Sequence, residues 1–296
     1  MASRLRSSFA ALCVFMAVNA PAGASELSLD LAAPSAGLPG GALSFSLYKP
    51  AAEPPSGHRW PVLYLMAGTH STHRDWPTMG HVQETADALI ASGRIAPLII
   101  VMPTGGVSWF VDNPDPGGEG MMATAMTRDL PAFIDAHYPT RACRGGRAVA
   151  GLSMGGYGAL LFAMDHPEEY AAAFSLSGAL WLPMPDDPAA RAKRPTRMFA
   201  RAYGDPLDWT RFNRWNVFPR IPAYIADKNR SPFYFAVGED DFPNLREANK
   251  IFVDALAKGG VAAPFRSDPG GHEWSTWERQ LGPALEWQDG KLSRGC

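Results

Sequence analysis

Two kinds of hydrophobic pattern alternate along the chain. Short apolar runs rich in Val, Ile, Leu, Tyr or Phe and closed by turn residues cover positions 61–66, 97–102, 147–152, 172–176, 233–237 and 263–266, and predict buried strands. Between them, residues 79–91, 121–138, 155–164, 245–257 and 274–287 carry apolar residues at helical spacing. Strand alternating with helix predicts an α/β fold with a mostly parallel sheet covered on both faces.

Two segments break the alternation. Residues 182–219 contain Pro183, Pro185, Pro188, Pro195 and Pro206, so they cannot form one regular element. They read as an irregular cap inserted after the strand at 172–176. Trp181, Trp209, Phe212 and Trp215 lie in or beside this cap and suit either a pocket for an aromatic or lipidic group or ordinary packing. The second break, 111–120, is a loop stiffened by Pro and loosened by Gly.

At the N-terminus, Arg4 and Arg6 precede an apolar run at 9–18, followed by Ala22, Gly23 and Ala24. That order is expected of a secretory signal over residues 1–24, leaving 25–296 as one exported domain, secreted or periplasmic. The run falls short of the roughly 20 residues that span a bilayer. Removal of the signal takes Cys13 and leaves Cys143 and Cys296, an even pair in an oxidising compartment. A disulfide between them is one reading; a buried Cys143 and a free terminal thiol is the other.

Composition narrows the partners. Charged residues make up 19% of the chain, below the roughly 25% of average globular proteins, and 46% is hydrophobic, which excludes a disordered spacer. With 27 Lys and Arg against 29 Asp and Glu, no global positive field is present to hold nucleic acid. The 27 Pro and 29 Gly are spread along the chain instead of marking a linker, as expected for one domain with long loops.

The chemistry centres on Gly151-Leu152-Ser153-Met154-Gly155, a G-x-S-x-G sequence between a predicted strand and a predicted helix. A sharp strand-to-helix turn there strains Ser153 and raises its hydroxyl above the sheet, while the glycines let neighbouring backbones pass closely. The Met154 N–H, at the helix start, can face a developing oxyanion. An alcohol is a weak nucleophile at neutral pH and needs a base. His272, in the Gly-rich loop 269–274, is the one histidine beyond His166. The acid that orients it belongs after the strand at 233–237, where Glu239, Asp240 and Asp241 all qualify.

Other signals read as structural. His70 and His73 have H-x-x-H spacing, but nothing completes a set of three or four metal ligands. Pro114 and Pro116 break any calcium-loop spacing of Asp112, Asp115 and Glu119. The methionines at 121, 122 and 126 read as a core helix. No metal and no cofactor are expected.

Taken together these residues resemble the α/β-hydrolase esterase family that includes feruloyl and acetyl esterases of plant-wall degradation, S-formylglutathione hydrolase and the antigen 85 mycolyltransferases. Four segments carry the resemblance: Tyr64-Leu65-Met66-Ala67-Gly68-Thr69 leading to Asp75-Trp76, Val101-Met102-Pro103, residues 151–156, and Gly271-His272-Glu273-Trp274 with Trp277. It spans residues 62–277 and implies the α/β-hydrolase fold. In that family a Gly-x-x-Asp turn carries the acid; it falls on Gly238 to Asp241 and so selects Asp241. The second oxyanion N–H falls on Thr69, with Ala67 where the family carries His or Asp.

The resemblance implies a serine esterase, exported by the reading of its N-terminal segment, that acts on a small-molecule, glycan or lipid ester through Ser153, His272 and Asp241. An acyltransferase using the same three residues is the alternative, and a binding protein on a hydrolase scaffold or a peptidase are further ones.

Overall fold

The computed structural model describes residues 24–54, 56–193, 197–293 and 296. The expected signal segment, but for residue 24, lies outside the described residues. Eight strands form one sheet: β1 (Glu26–Pro34), β2 (Ala42–Lys49), β3 (Val62–Met66), β4 (Ile99–Pro103), β5 (Arg147–Leu152), β6 (Ala172–Leu176), β7 (Phe233–Gly238) and β8 (Phe265–Asp268). Their order is β1-β2-β4-β3-β5-β6-β7-β8. Pairing is antiparallel at β1–β2 and β2–β4 and parallel from β4 to β8.

The central strands are buried along their whole length because both faces are covered. Successive side chains point to opposite faces, so Val62, Tyr64 and Met66 of β3 enter one core while Leu63 and Leu65 enter the other. β4 divides in the same way, Ile99 and Val101 against Ile100 and Met102. The first core is closed by helices α2 (Leu130–His137), α3 (Met154–Asp165) and α4 (Pro243–Lys258) through Ile134, Leu160 and Phe252. The second is closed by α1 (Val82–Ala91) and α5 (Trp274–Asp289) through Ala86, Leu89, Leu281 and Leu285. All three catalytic candidates lie at or just beyond the carboxyl ends of parallel strands, where open α/β sheets place ligands.

Structure and sequence pattern part company in three places. Strands β1 and β2 carry only period-two alternation (Leu27, Leu29, Leu31; Leu43, Phe45, Leu47), a weaker signal than the continuous apolar runs of the buried strands, and β1 is further disturbed by a bulge at Asp30, whose φ is 58°. The stretch 79–91 divides into Asp75–Met79 and α1, because His81 takes a left-handed conformation (φ 44°) between them. Residues 122–137 remain helical but contain a widened turn at Ala125–Asp129.

The described residues of 182–219 include the short helices Pro188–Ala192, Ala200–Tyr203 and Trp209–Arg214. Phe199 sits among Trp109, Trp181, Tyr203 and Phe212 at ring separations of 4.8–6.1 Å. Trp209 packs on Phe212 at 5.7 Å, and the Trp215 carbonyl accepts a 2.6 Å hydrogen bond from the Tyr157 hydroxyl of α3. Trp181, Trp209 and Phe212 thus lend their rings to packing within the insertion, and the Trp215 backbone fastens it to α3.

Cys143, before β5, and Cys296 form a disulfide with Cα atoms 6.0 Å apart. It closes a loop of 153 residues, for which chain entropy sets an upper bound of about 5 kcal/mol. Replacing both cysteines by Ala, or reducing the bridge, is expected to lower the thermal midpoint by several degrees and at most by about 10 °C. Melting curves with and without reductant check this; identical midpoints would show that the bridge is no staple.

Candidate active site

The turn between β5 and α3 is shaped by contacts that permit no side chain. A Cβ on Gly151 would lie 2.5 Å from the Gly155 carbonyl carbon and 2.6 Å from the Met66 carbonyl oxygen; one on Gly155 would lie 2.5 Å from that same oxygen. Between these glycines Ser153 takes φ 52° and ψ −118°, a conformation that costs energy for a residue with a side chain and persists only because its surroundings over-determine it. Its amide donates to the Leu176 carbonyl at 2.9 Å, and its own carbonyl accepts from Ala179 and Tyr157.

The hydroxyl so placed meets His272. Ser153 Oγ lies 2.9 Å from His272 Nε2, and His272 Nδ1 lies 2.9 Å from Asp241 Oδ1. An ionised carboxylate only accepts, so Nδ1 carries the proton and Nε2 is left as the acceptor for the serine hydroxyl. The ring is held between Phe242, 5.0 Å away, and the edge-on Trp277, 4.9 Å away. Trp277 packs in turn on Trp274, and Trp274 on Trp76.

Asp241 is buried, whereas Glu239 and Asp240 are exposed. The amides of these two neighbours donate to Asp268 and Gly270, which shapes the turn but leaves their carboxylates in solvent. Burial raises the pKa of Asp241. Hydrogen bonds from His272 and the Phe242 amide, with the Ser177 hydroxyl close by, outweigh burial and hold the carboxyl below its ordinary value. The group facing His272 is therefore an anion. Phe242 and Ser177 belong to no motif; Phe242 could have been noticed only as a large apolar residue, 57% exposed, directly after the acid.

The loop carrying Thr69 runs beside the serine. A Cβ on Gly68 would lie 3.3 Å from Ser153 Cβ, and the loop is fixed by the His70 amide to the Gly106 carbonyl (2.9 Å) and Trp76 Nε1 to the Met66 carbonyl (3.2 Å). Among the described residues the amides of Thr69 and Met154 donate to no other group. Two free N–H groups flanking a nucleophile can stabilise an oxygen that gains negative charge, more strongly where water is excluded.

The remaining polar signals disperse. His73 bonds Thr104 Oγ1 at 2.8 Å and Asp30 Oδ1 at 2.9 Å, away from His70. Asp112 bonds Thr124, Asp115 pairs with Arg211 and Glu119 with Arg201, so these carboxylates meet three different partners. No group of three metal-ligating residues occurs among the described residues. Met122 and Met126 are core residues.

The family model described as "Putative esterase" matches residues 36–287. The chain belongs to this family. With it, the chain joins the hydrolases that act on ester bonds. An acetyl esterase of Caldicellulosiruptor saccharolyticus is 26% identical over 230 residues, 76% of this chain and 82% of its own. An endo-1,4-beta-xylanase/feruloyl esterase of Xylanibacter ruminicola is 35% identical over 228 residues, 75% of this chain but 25% of its own length. The solved structure of a ferulic acid esterase superposes with a TM-score of 0.71 at 25% identity, covering 91% of this chain and 99% of that one. An S-formylglutathione hydrolase from Agrobacterium tumefaciens shares the fold, with a TM-score of 0.70 at 20% identity over 93% of this chain and 98% of that one.

If Asp241 orients His272, Asp241→Asn is expected to lower kcat on an ester about 10³-fold or more, because an amide there favours the wrong imidazole tautomer. Asp240→Asn and Glu239→Gln should stay within about threefold of the parent. Steady-state kinetics of the three variants check this; equal, mild effects in all three would place the acid elsewhere.

Proposed function

We propose that this protein is an exported serine carboxylesterase that hydrolyses its substrate through an acyl-enzyme on Ser153. One observation carries the reading: the Ser153–His272–Asp241 hydrogen-bond chain lies beside two amides that donate to no other group among the described residues. Ser153 Oγ attacks the ester carbonyl carbon as its proton passes to His272 Nε2. The carbonyl oxygen becomes an oxyanion held by the Thr69 and Met154 amides. The ionised Asp241 stabilises the imidazolium. His272 then protonates the departing alcohol, and a water activated by the same imidazole releases the acid.

Export is supported by the charge, apolar run and small residues of positions 1–24 and by the Cys143–Cys296 bridge, which suits an oxidising compartment. Among the described residues no helix is long and apolar enough to cross a membrane. Short helices without a separate core leave the 182–219 insertion as part of a single domain over 25–296.

Ser153→Ala is expected to lower ester turnover by several orders of magnitude while leaving the melting temperature within a few degrees. A fluorophosphonate should label the parent protein once, at Ser153, and the variant not at all. Labelling of another serine with activity retained would overturn the assignment. Product analysis with a sugar or lipid alcohol present separates the two fates of the acyl-enzyme: free acid is expected, and a dominant new ester would identify an acyltransferase instead.

A further inference from the structure

A cleft of about 540 Å³ opens one residue beyond the Thr69 amide, lined by His70, Val107, Arg197, Met198 and Arg201. It lies between the oxyanion loop and the insertion. The two arginines differ in circumstance. Arg201 is paired with Glu119, whereas Arg197 has no hydrogen bond or ion pair among the described residues. The backbone that carries it is nonetheless anchored, because Trp109 Nε1 donates to the carbonyl of the next residue, Met198, at 3.0 Å, and Phe199 is buried in the aromatic cluster.

The surrounding charge makes this arrangement selective. Residues 182–219 carry seven Lys and Arg against four Asp, in a chain whose net charge is −2. Of those four, Asp186 pairs with Arg191, and Asp187 and Asp208 cap the helices that follow them. None of the four lines the cleft. An exposed guanidinium on an anchored stretch of backbone, with no ion pair among the described residues and with apolar walls beside it, matches a flexible chain that ends in an anion, which the planar fork can bind with two parallel hydrogen bonds.

Building on the serine-esterase reading, we propose that the substrate bears an anionic group on its acyl or alcohol part and that Arg197 selects for it in this cleft. The apolar stems of Val107 and Met198 accommodate the carbon chain between that group and the ester. An ordinary neutral ester reaches Ser153 but leaves Arg197 unsatisfied.

The test uses the full mature chain and two matched pairs of esters. For the acyl part the pair is the 4-nitrophenyl ester of hydrogen glutarate and that of methyl glutarate; for the alcohol part, the acetates of 4-hydroxybenzoate and of its amide. The anionic member of at least one pair is expected to have a kcat/KM about tenfold higher, the favoured pair identifying which side of the ester enters the cleft. Arg197→Gln should reduce that anionic-to-neutral ratio about tenfold, Arg197→Lys should retain only part of it, because the charge stays but the bidentate fork is lost, and Arg197→Glu should invert it. The preference should also shrink in 0.5 M salt, as an exposed charge is screened. No preference in either pair, or a ratio unchanged in Arg197→Gln, overturns the proposal. Failure of the underlying serine-esterase reading looks different: the neutral esters are then not hydrolysed and the fluorophosphonate does not label Ser153.

Discussion

Everything at the top of the sheet depends on one close approach of backbones. The carbonyl of Met66, at the end of β3, sits where a Cβ of Gly151 or Gly155 would be, so β3, β5 and the start of α3 meet without any side chain between them. Within that contact Ser153 is held by backbone hydrogen bonds to Leu176, Tyr157 and Ala179. A conformation unfavourable in isolation becomes the only one available. The same approach brings Gly68 against Ser153, and with it the Thr69 loop, so the candidate serine and the loop beside it are placed by one packing event.

His272 and Asp241 are organised by a second principle, burial of one charge with enough hydrogen bonds to keep it ionised. Asp241 sits at the end of β7 and faces His272 from the loop after β8, so strands adjacent in the sheet bring together residues 31 positions apart. An unpaired carboxylate in this position would be neutralised by burial; hydrogen bonding keeps it charged. The aromatic residues Trp76, Trp274, Trp277 and Phe242 fix the imidazole plane, so its two nitrogens point at two different oxygens. Rigidity on the side of the base contrasts with the insertion on the other side, made of short helices that share an aromatic cluster with α3 and present arginines to the cleft.

What could be read in the chain before folding was the chemistry that local sequence imposes. The buried parallel strands declare themselves as continuous apolar runs because both faces are covered, and the G-x-S-x-G turn does so because only glycine tolerates the approach at 151 and 155. The Gly-rich surroundings of His272 were legible for a similar reason. β1 and β2 were not, since a strand with one wet face or a free edge shows only alternation, and a bulge at Asp30 interrupts even that.

The sequence by itself thus determined the order of the buried parallel strands and the helices between them, and singled out Ser153 and His272 as candidates, each written in short-range constraints on backbone and hydrophobic period. From the residues alone Glu239, Asp240 and Asp241 were equivalent, and only packing decides which carboxylate is buried and which stay in water. Tertiary structure likewise packed Trp181, Trp209 and Phe212 within the insertion, tied the Trp215 backbone to α3, joined Cys143 to Cys296, and placed Arg197 beside the Thr69 loop without an ion pair among the described residues. Side-chain identity specifies what a group can do; its burial and its partners arise from residues far away in sequence, and those exist only once the sheet has closed its cores.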